Sequence, residues 1–313
     1  MRRGVIGSDV ARALEIVRNG GLVGLPTETV YGLAADASQK KAIAKIFGVK
    51  GRPNNHPLIV HVSSLDVART WSSHWTHSAE ILGSTYWPGP LSVIVQKSSI
   101  VLDEVTGGHQ TVAVRVPGHE LALELLQRFG GGLAAPSANK FGKVSPTTAQ
   151  HVLDDLGVGV DYILDGGPCR VGVESTIIDC TGERPQILRP GAITEEMIEK
   201  VTGLQVDASS SSVRASGTLE QHYAPRAKVF LLDAVNPVVA CIVGVGFLAL
   251  AKFPTPDGAI RLAAPESDAE YARVLYDALR EGDRRNLPAI YVVPPSGSGI
   301  SVAICDRLRR ASA

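Results

Sequence analysis

Leu22-Val23-Gly24-Leu25 is a short apolar run that leads into Pro26-Thr27-Glu28-Thr29-Val30-Tyr31-Gly32-Leu33. Gly20-Gly21 precedes it as a stop signal, so the run reads as a buried strand. Its polar hydroxyls then fall at a strand end, where ligands bind in α/β proteins. A purely local alternative is a cap, with Thr27 or Thr29 starting a short helix. Working outward, Val10, Ala13, Leu14 and Val17 recur at helical spacing over 9–19. Further helical patterns lie at 40–47, 78–84 and 120–129, and strand patterns at 58–62, 91–96, 112–116, 132–135, 162–165, 176–179 and 186–189. Strands and helices mix without strict alternation, which predicts an α/β or α+β unit.

Residues 207–216 are Ser/Ala-rich without apolar periodicity and read as a linker. Beyond it, a new unit starts at 228–233. Strand patterns at 241–250, 259–262 and 289–293 alternate with helical ones at 268–280 and 299–310. This predicts a small, open, mostly parallel, Rossmann-like sheet. The expected organisation is therefore a catalytic unit over 1–205, a linker over 206–227 and a small α/β unit over 228–313.

Composition narrows the class. The 313 residues suit about two domains. At 44% hydrophobic and 20% charged, the chain carries enough apolar material for a core, which excludes disorder as its main state. Thirty-two Gly and 19 Pro exclude a long coiled coil. Thirty-one cationic against 31 acidic residues leave no net charge, unlike a chain that grips nucleic acid mainly through phosphates. The four cysteines, Cys169, Cys180, Cys241 and Cys305, form no C-x-x-C and no zinc spacing, and read as buried thiols in a reducing compartment. The most apolar run, 238–251, is shorter than a membrane helix and carries Gly244 and Gly246. The expectation is a cytoplasmic protein without a membrane span.

Several segments carry candidate chemistry. Lys50-Gly51-Arg52-Pro53, followed by His56-Pro57, puts two cations in a proline-fixed turn, suited to an oligophosphate or to plain solvent exposure. His61 ends the strand pattern behind it. In Thr111-Val112-Ala113-Val114-Arg115 a period of two places Thr111, Ala113 and Arg115 on one face. Arg115 there fits a carboxylate or phosphate, or water if the strand is an edge. Ala135-Pro136-Ser137-Ala138-Asn139 allows close backbone approach, and Ser137 and Ser145 can donate to phosphate oxygens. Glu174-Ser175 opens a strand, and Leu188-Arg189-Pro190-Gly191 puts Arg189 before a tight turn. His222-Tyr223 ends the linker, where such a pair suits docking on a ligand. No Walker A or G-x-S-x-G pattern occurs.

In this order, P-T-E-T-V-Y-G-L, K-G-R-P…P-L-I-V-H, W-P-G-P-L, V-A-V-R-V-P, A-P-S-A-N, E-S-T-I-I-D and L-R-P-G resemble the YrdC-domain family over about residues 7–205. H-Y-A-P and the extra unit look like the long-form threonylcarbamoyl-AMP synthases of that family. The resemblance implies a twisted open sheet with a deep cleft. It also implies a reaction in which L-threonine, bicarbonate and ATP give threonylcarbamoyl-AMP and pyrophosphate. The product would feed a downstream threonylcarbamoyl transferase complex that modifies tRNA beside the anticodon, with any tRNA contact by this chain indirect. A threonine site would fall on Thr29, His61, Arg115, Ala135 through its backbone, and Ser175. An ATP site would fall on Lys50, Arg52, His56, Thr111, Ser137, Ser145 and Arg189, with His222 or Tyr223 closing over it. Mg²⁺ would ride on the phosphates, with no protein side chain as ligand.

Two features depart from the family. His56 stands where Asn is usual, which would add pH dependence near its unperturbed pKa of ~6.5. The linker reads S-G-T-L-E-Q before His222, where many members carry S-P-G-M and a basic residue. Rival readings are a non-catalytic RNA-binding module, a carbamoyl transferase of the hydrogenase-maturation type, and a sensor of ATP or threonine. Neutral charge and the lack of aromatics interleaved with cations weigh against the RNA module.

Overall fold

Helix Val10–Arg18 starts where Asp9 accepts a hydrogen bond from the Arg12 N–H at 3.1 Å, and it buries the four residues expected from its periodicity. The computed structural model describes residues 5–207, 222–233 and 243–313. Within them the chain builds two sheets. The larger has eleven strands and is mixed. From one edge it runs Val5–Gly7, Tyr162–Leu164, Val23–Leu25, Gly32–Asp36, Leu133–Ala134, Ile59–His61, Thr111–Arg115, Leu91–Lys97, Thr176–Asp179 and Gln186–Arg189, with Ser72–His74 attached to Leu91–Lys97.

Strand Thr111–Arg115 lies inside this sheet, parallel to Ile59–His61 and antiparallel to Leu91–Lys97. It is not an edge strand, and Arg115 is buried. Register pairs His61 with Arg115, so both polar tips leave the sheet at one place. No helix follows Thr27 and Thr29. Thr27 Oγ1 instead accepts from the Val30 N–H at 3.2 Å and donates to the Val30 carbonyl at 2.6 Å, closing a turn into strand Gly32–Asp36.

The smaller sheet has four parallel strands in the order Lys228–Leu231, Ala289–Val292, Gly246–Leu248, Ile260–Ala263. Helices Asp268–Arg284 and Ile300–Ala311 pack on it. Of the strand pattern 241–250, only Gly246–Leu248 is strand among the described residues, and positions 241–242 lie outside them. Most of the linker, 208–221, also lies outside them. One apolar cluster crosses between the two sheets. Val30, Val144 and Val173, from connections of the larger sheet, pack with Tyr223, Tyr271, Leu275 and Tyr276. Arg280 adds a bidentate ion pair to Asp155, at 3.0 and 2.7 Å. Among the described residues no helix is long and apolar enough to cross a membrane.

Candidate active site

A narrow cavity of about 40 Å³ opens where the strand ends converge. Thr29, His61, Arg115, Ala135 and Ser175 line it, and so do Arg52, Ser137, Arg189, His222 and Tyr223. The fold thus brings together residues that lie up to about two hundred positions apart in sequence. Thr27, Val30, Gly32, Ile59, Pro136 and Glu174 complete the wall. Glu174 carried no role in the sequence reading, although it stands beside Ser175.

Lys50, His56, Thr111 and Ser145 are not among the lining residues. Lys50 is buried beneath the wall, and its amine donates to the Ser137 and Asn139 carbonyls, the latter at 2.6 Å. Lys50 thus fastens the 136–143 segment instead of lining the cavity, while residues 53–55 of the loop after it are exposed. Ser145 is fully buried and donates its hydroxyl proton to Glu174 Oε1 at 2.6 Å. A serine has one hydrogen to give, so the carboxylate uses the donor that sequence reading assigned to phosphate. Thr111 pairs with Gln96 at the far end of the strand from Arg115. His56 stands edge-on to Phe141, with ring centroids 5.5 Å apart.

Phe141 is a residue that sequence reading passed over. Arg52 lies over its ring at 5.8 Å, and His222 meets it edge-on at 6.2 Å. Arg52 also donates to the Pro57 carbonyl at 3.0 Å. Arg189 donates to the Ser175 carbonyl and hydroxyl at 3.0 and 3.1 Å. Its turn depends on Gly191, where a Cβ would stand 2.3 Å from the Thr176 nitrogen. Arg115 pairs with Glu28 at 2.8 Å and reaches the Gly89 carbonyl at 3.3 Å.

Burial, with Arg115 adding to it, pushes His61 down to about 3. Burial pushes His222 down to about 3 as well. Both rings are neutral at physiological pH, so each offers one N–H donor and one acceptor. His61 Nδ1, His222 Nδ1 and the Tyr223 hydroxyl are buried without a hydrogen-bond partner among the described residues. Three such groups around one cavity are unusual in a folded protein and are what a polar ligand would satisfy. Tyr223 also has φ +62°, a left-handed conformation that costs a bulky residue roughly 1–3 kcal/mol. Its neighbours hold it there. Its ring stacks on Tyr276 at 5.8 Å and meets His222 at 4.1 Å.

Among the described residues no group of three or more His, Cys, Asp or Glu could hold a metal ion. Among the described residues Glu174 is the sole carboxylate of the cavity wall, and both of its oxygens already accept hydrogen bonds from Ser145, Tyr276 and Arg307.

Fold and cavity together define an α/β protein with a cationic, polar cleft at strand ends and a second α/β unit docked against it. A family model described as "Telomere recombination", of the Sua5, YciO and YrdC proteins, matches residues 15–191. One described as "Threonylcarbamoyl-AMP synthase, C-terminal domain" matches residues 193–313. Threonylcarbamoyl-AMP synthase of Pyrococcus abyssi is 39% identical over 318 residues, covering 96% of this chain and 93% of the relative. The Bacillus subtilis protein of that name is 36% identical, covering 97% and 92%. The solved structure of P. abyssi Sua5 complexed with L-threonine superposes with a TM-score of 0.87 at 36% identity, covering 99% and 96%. A double-substitution variant of the same protein gives 0.91 at 35%, covering 100% and 96%. The chain belongs to the Sua5-type, long-form threonylcarbamoyl-AMP synthase family.

Proposed function

We infer that this chain joins L-threonine, bicarbonate and ATP into threonylcarbamoyl-AMP with release of pyrophosphate, for threonylcarbamoyl modification of tRNA. The observation that carries the assignment of roles is the convergence of three arginines and three orphaned polar groups on one cavity. Threonine amine and bicarbonate form a carbamate and water. A carbamate oxygen then attacks the α-phosphorus of ATP as the bond to the pyrophosphate oxygen breaks. The protein supplies position and charge rather than a nucleophile. Arg115, a fork in a dry setting, takes the threonine carboxylate, and Thr29, His61, Ser175 and the Ala135 backbone surround the rest of the amino acid. Arg52 and Arg189 offset phosphate charge. Mg²⁺ carried by ATP would share that charge. Lys50 and Ser145 act from beneath, by holding the 136–143 segment and Glu174.

A pocket for a drug-sized ligand usually has about 300–1,000 Å³, far above the space here. His222 and Tyr223 are buried against this cavity, so ATP entry would require them to leave, and their return would shield the labile mixed anhydride from water. The threonylcarbamoyl group then passes to a transferase complex that contacts the tRNA.

The test is pyrophosphate release from ATP and Mg²⁺, with threonine and bicarbonate each omitted in turn. Release that needs both supports the reading. Release indifferent to threonine overturns it, and salt-sensitive RNA binding without turnover would put the RNA module in its place.

A further inference from the structure

Glu174 faces the cavity, but the second unit holds its charge. Its Oε2 accepts from the Tyr276 hydroxyl at 2.8 Å and from Arg307 Nε at 2.7 Å, while Oε1 accepts from Ser145. Arg307, on helix Ile300–Ala311, is 1% exposed. Its Nη1 pairs with Asp306 at 2.6 Å, and its Nη2 donates to the Pro190 carbonyl at 3.0 Å, one residue beyond Arg189. The guanidinium carbon also lies 5.2 Å from the centre of the Tyr223 ring, within cation–π range. The backbone of Arg310, one turn on, accepts from the His222 N–H at 3.2 Å. One side chain therefore touches Glu174 on the cavity wall, Pro190 in the turn that follows Arg189, and Tyr223 of the closing segment.

We propose that Arg307 is a positioning residue of the synthase site: it keeps Glu174 and the 189–191 turn in register with the docked Tyr223, so that the second unit completes the site. This rests on the synthase reading above. An ion pair that served only as glue between two units could sit anywhere on their interface, as Arg280 and Asp155 do. Arg307 instead ends on the cavity wall and on the residue that closes it.

The charges around Glu174 make the role testable. Burial raises its pKa, but Arg307 and Arg189 outweigh burial and hold it at about 2. Arg189 faces it from strand Gln186–Arg189, Tyr276 from helix Asp268–Arg284, Ser145 from the 144–147 loop, and Tyr223 and His222 from the closing segment. Without Arg307, Arg189 is the one cation left in this set. The carboxyl then titrates in a higher range, and its protonated form no longer fixes the Ser145 hydroxyl.

The experiment compares full-length wild type with Arg307→Met, Arg307→Lys and the double variant Arg307→Met/Glu174→Gln. Threonine-dependent pyrophosphate release is followed between about pH 5.5 and 8.5, with KM for ATP, kcat and a thermal melt for each. Arg307→Met is expected to raise KM for ATP about tenfold, more than it lowers kcat, and to add an acid limb to kcat/KM. Arg307→Lys restores the charge and removes the limb, as does the double variant. A folded Arg307→Met with wild-type KM, or with a uniform loss and no limb, overturns the proposal. If Arg307→Met does not fold, Tyr276→Phe removes one donor to Glu174 and keeps the ring. Its KM for ATP should rise a fewfold, and an unchanged KM overturns the proposal equally. Wild type without threonine-dependent release would instead defeat the synthase reading, and the proposal with it.

Discussion

Arg115 and Glu28 form an ion pair of 2.8 Å in which both side chains are buried. Arg115 lines the cavity and Glu28 stands behind it, where Glu28 Oε2 also accepts from the Gly118 N–H at 3.0 Å. A buried carboxylate left alone costs about 3–5 kcal/mol. Arg115→Met should therefore lower unfolding free energy by that order in urea titrations, and raise KM for threonine at least about tenfold. Adding Glu28→Gln should restore much of the stability and none of the threonine binding. Recovery of both would show that Arg115 serves the fold alone.

Tyr223→Phe separates ligand binding from packing. The hydroxyl is buried without a partner among the described residues, whereas the ring is stacked on Tyr276. Removing an unsatisfied group should raise stability by up to about 1 kcal/mol. The same change should raise KM for ATP severalfold. A loss of stability with unaltered KM would mean that the hydroxyl has a structural bond.

Acid should weaken the fold well above the range in which carboxylates titrate. His61 and His222, each held down to about 3, bind fewer protons in the folded than in the unfolded chain, where histidine titrates near 6.5. Stability thus falls as pH drops from 6.5 toward 3, by roughly 1.4 kcal/mol per pH unit for each histidine. Glu174, held at about 2, adds a loss of the same sign below its unfolded value. Thermal melts between about pH 7 and 5 should show the decline, and His222→Phe should flatten its slope. A flat profile over that interval would show that the rings are protonated without cost.

Gly191→Ala should cost about 1–3 kcal/mol, because its Cβ would meet the Thr176 nitrogen at 2.3 Å and the strand cannot give way. The displaced turn carries Arg189, so KM for ATP should rise together with the loss of stability. Melts and steady-state kinetics on one preparation check both.

Much of the fold was legible because its signals are local. The periods of Val10–Arg18 and Glu120–Phe129, and the apolar runs at Thr176–Asp179 and Gln186–Arg189, sit where the pattern puts them. Strand Gly32–Asp36 escaped notice because it is Gly- and Ala-rich and lacks the β-branched residues that mark strands. Helices Ala149–Leu156 and Glu195–Thr202 are short, and their Thr148 and Thr194 caps stand inside polar stretches that read as loop.

The order of the strand-end motifs, and through their resemblance the family and its reaction, can be read from the chain alone. So can the places where Arg115 and His61 end their strands, since alternation is a property of the chain. Which groups reach the cavity and which stand behind it depends on contacts between segments far apart in the chain. Ser145 gives its one hydrogen to Glu174, Lys50 turns to backbone carbonyls, and Arg307 meets Glu174 across 133 positions. A residue type states what a side chain can donate or accept. Its partner is set by packing between distant segments, and a buried charge selects the partner that offsets its loss of water.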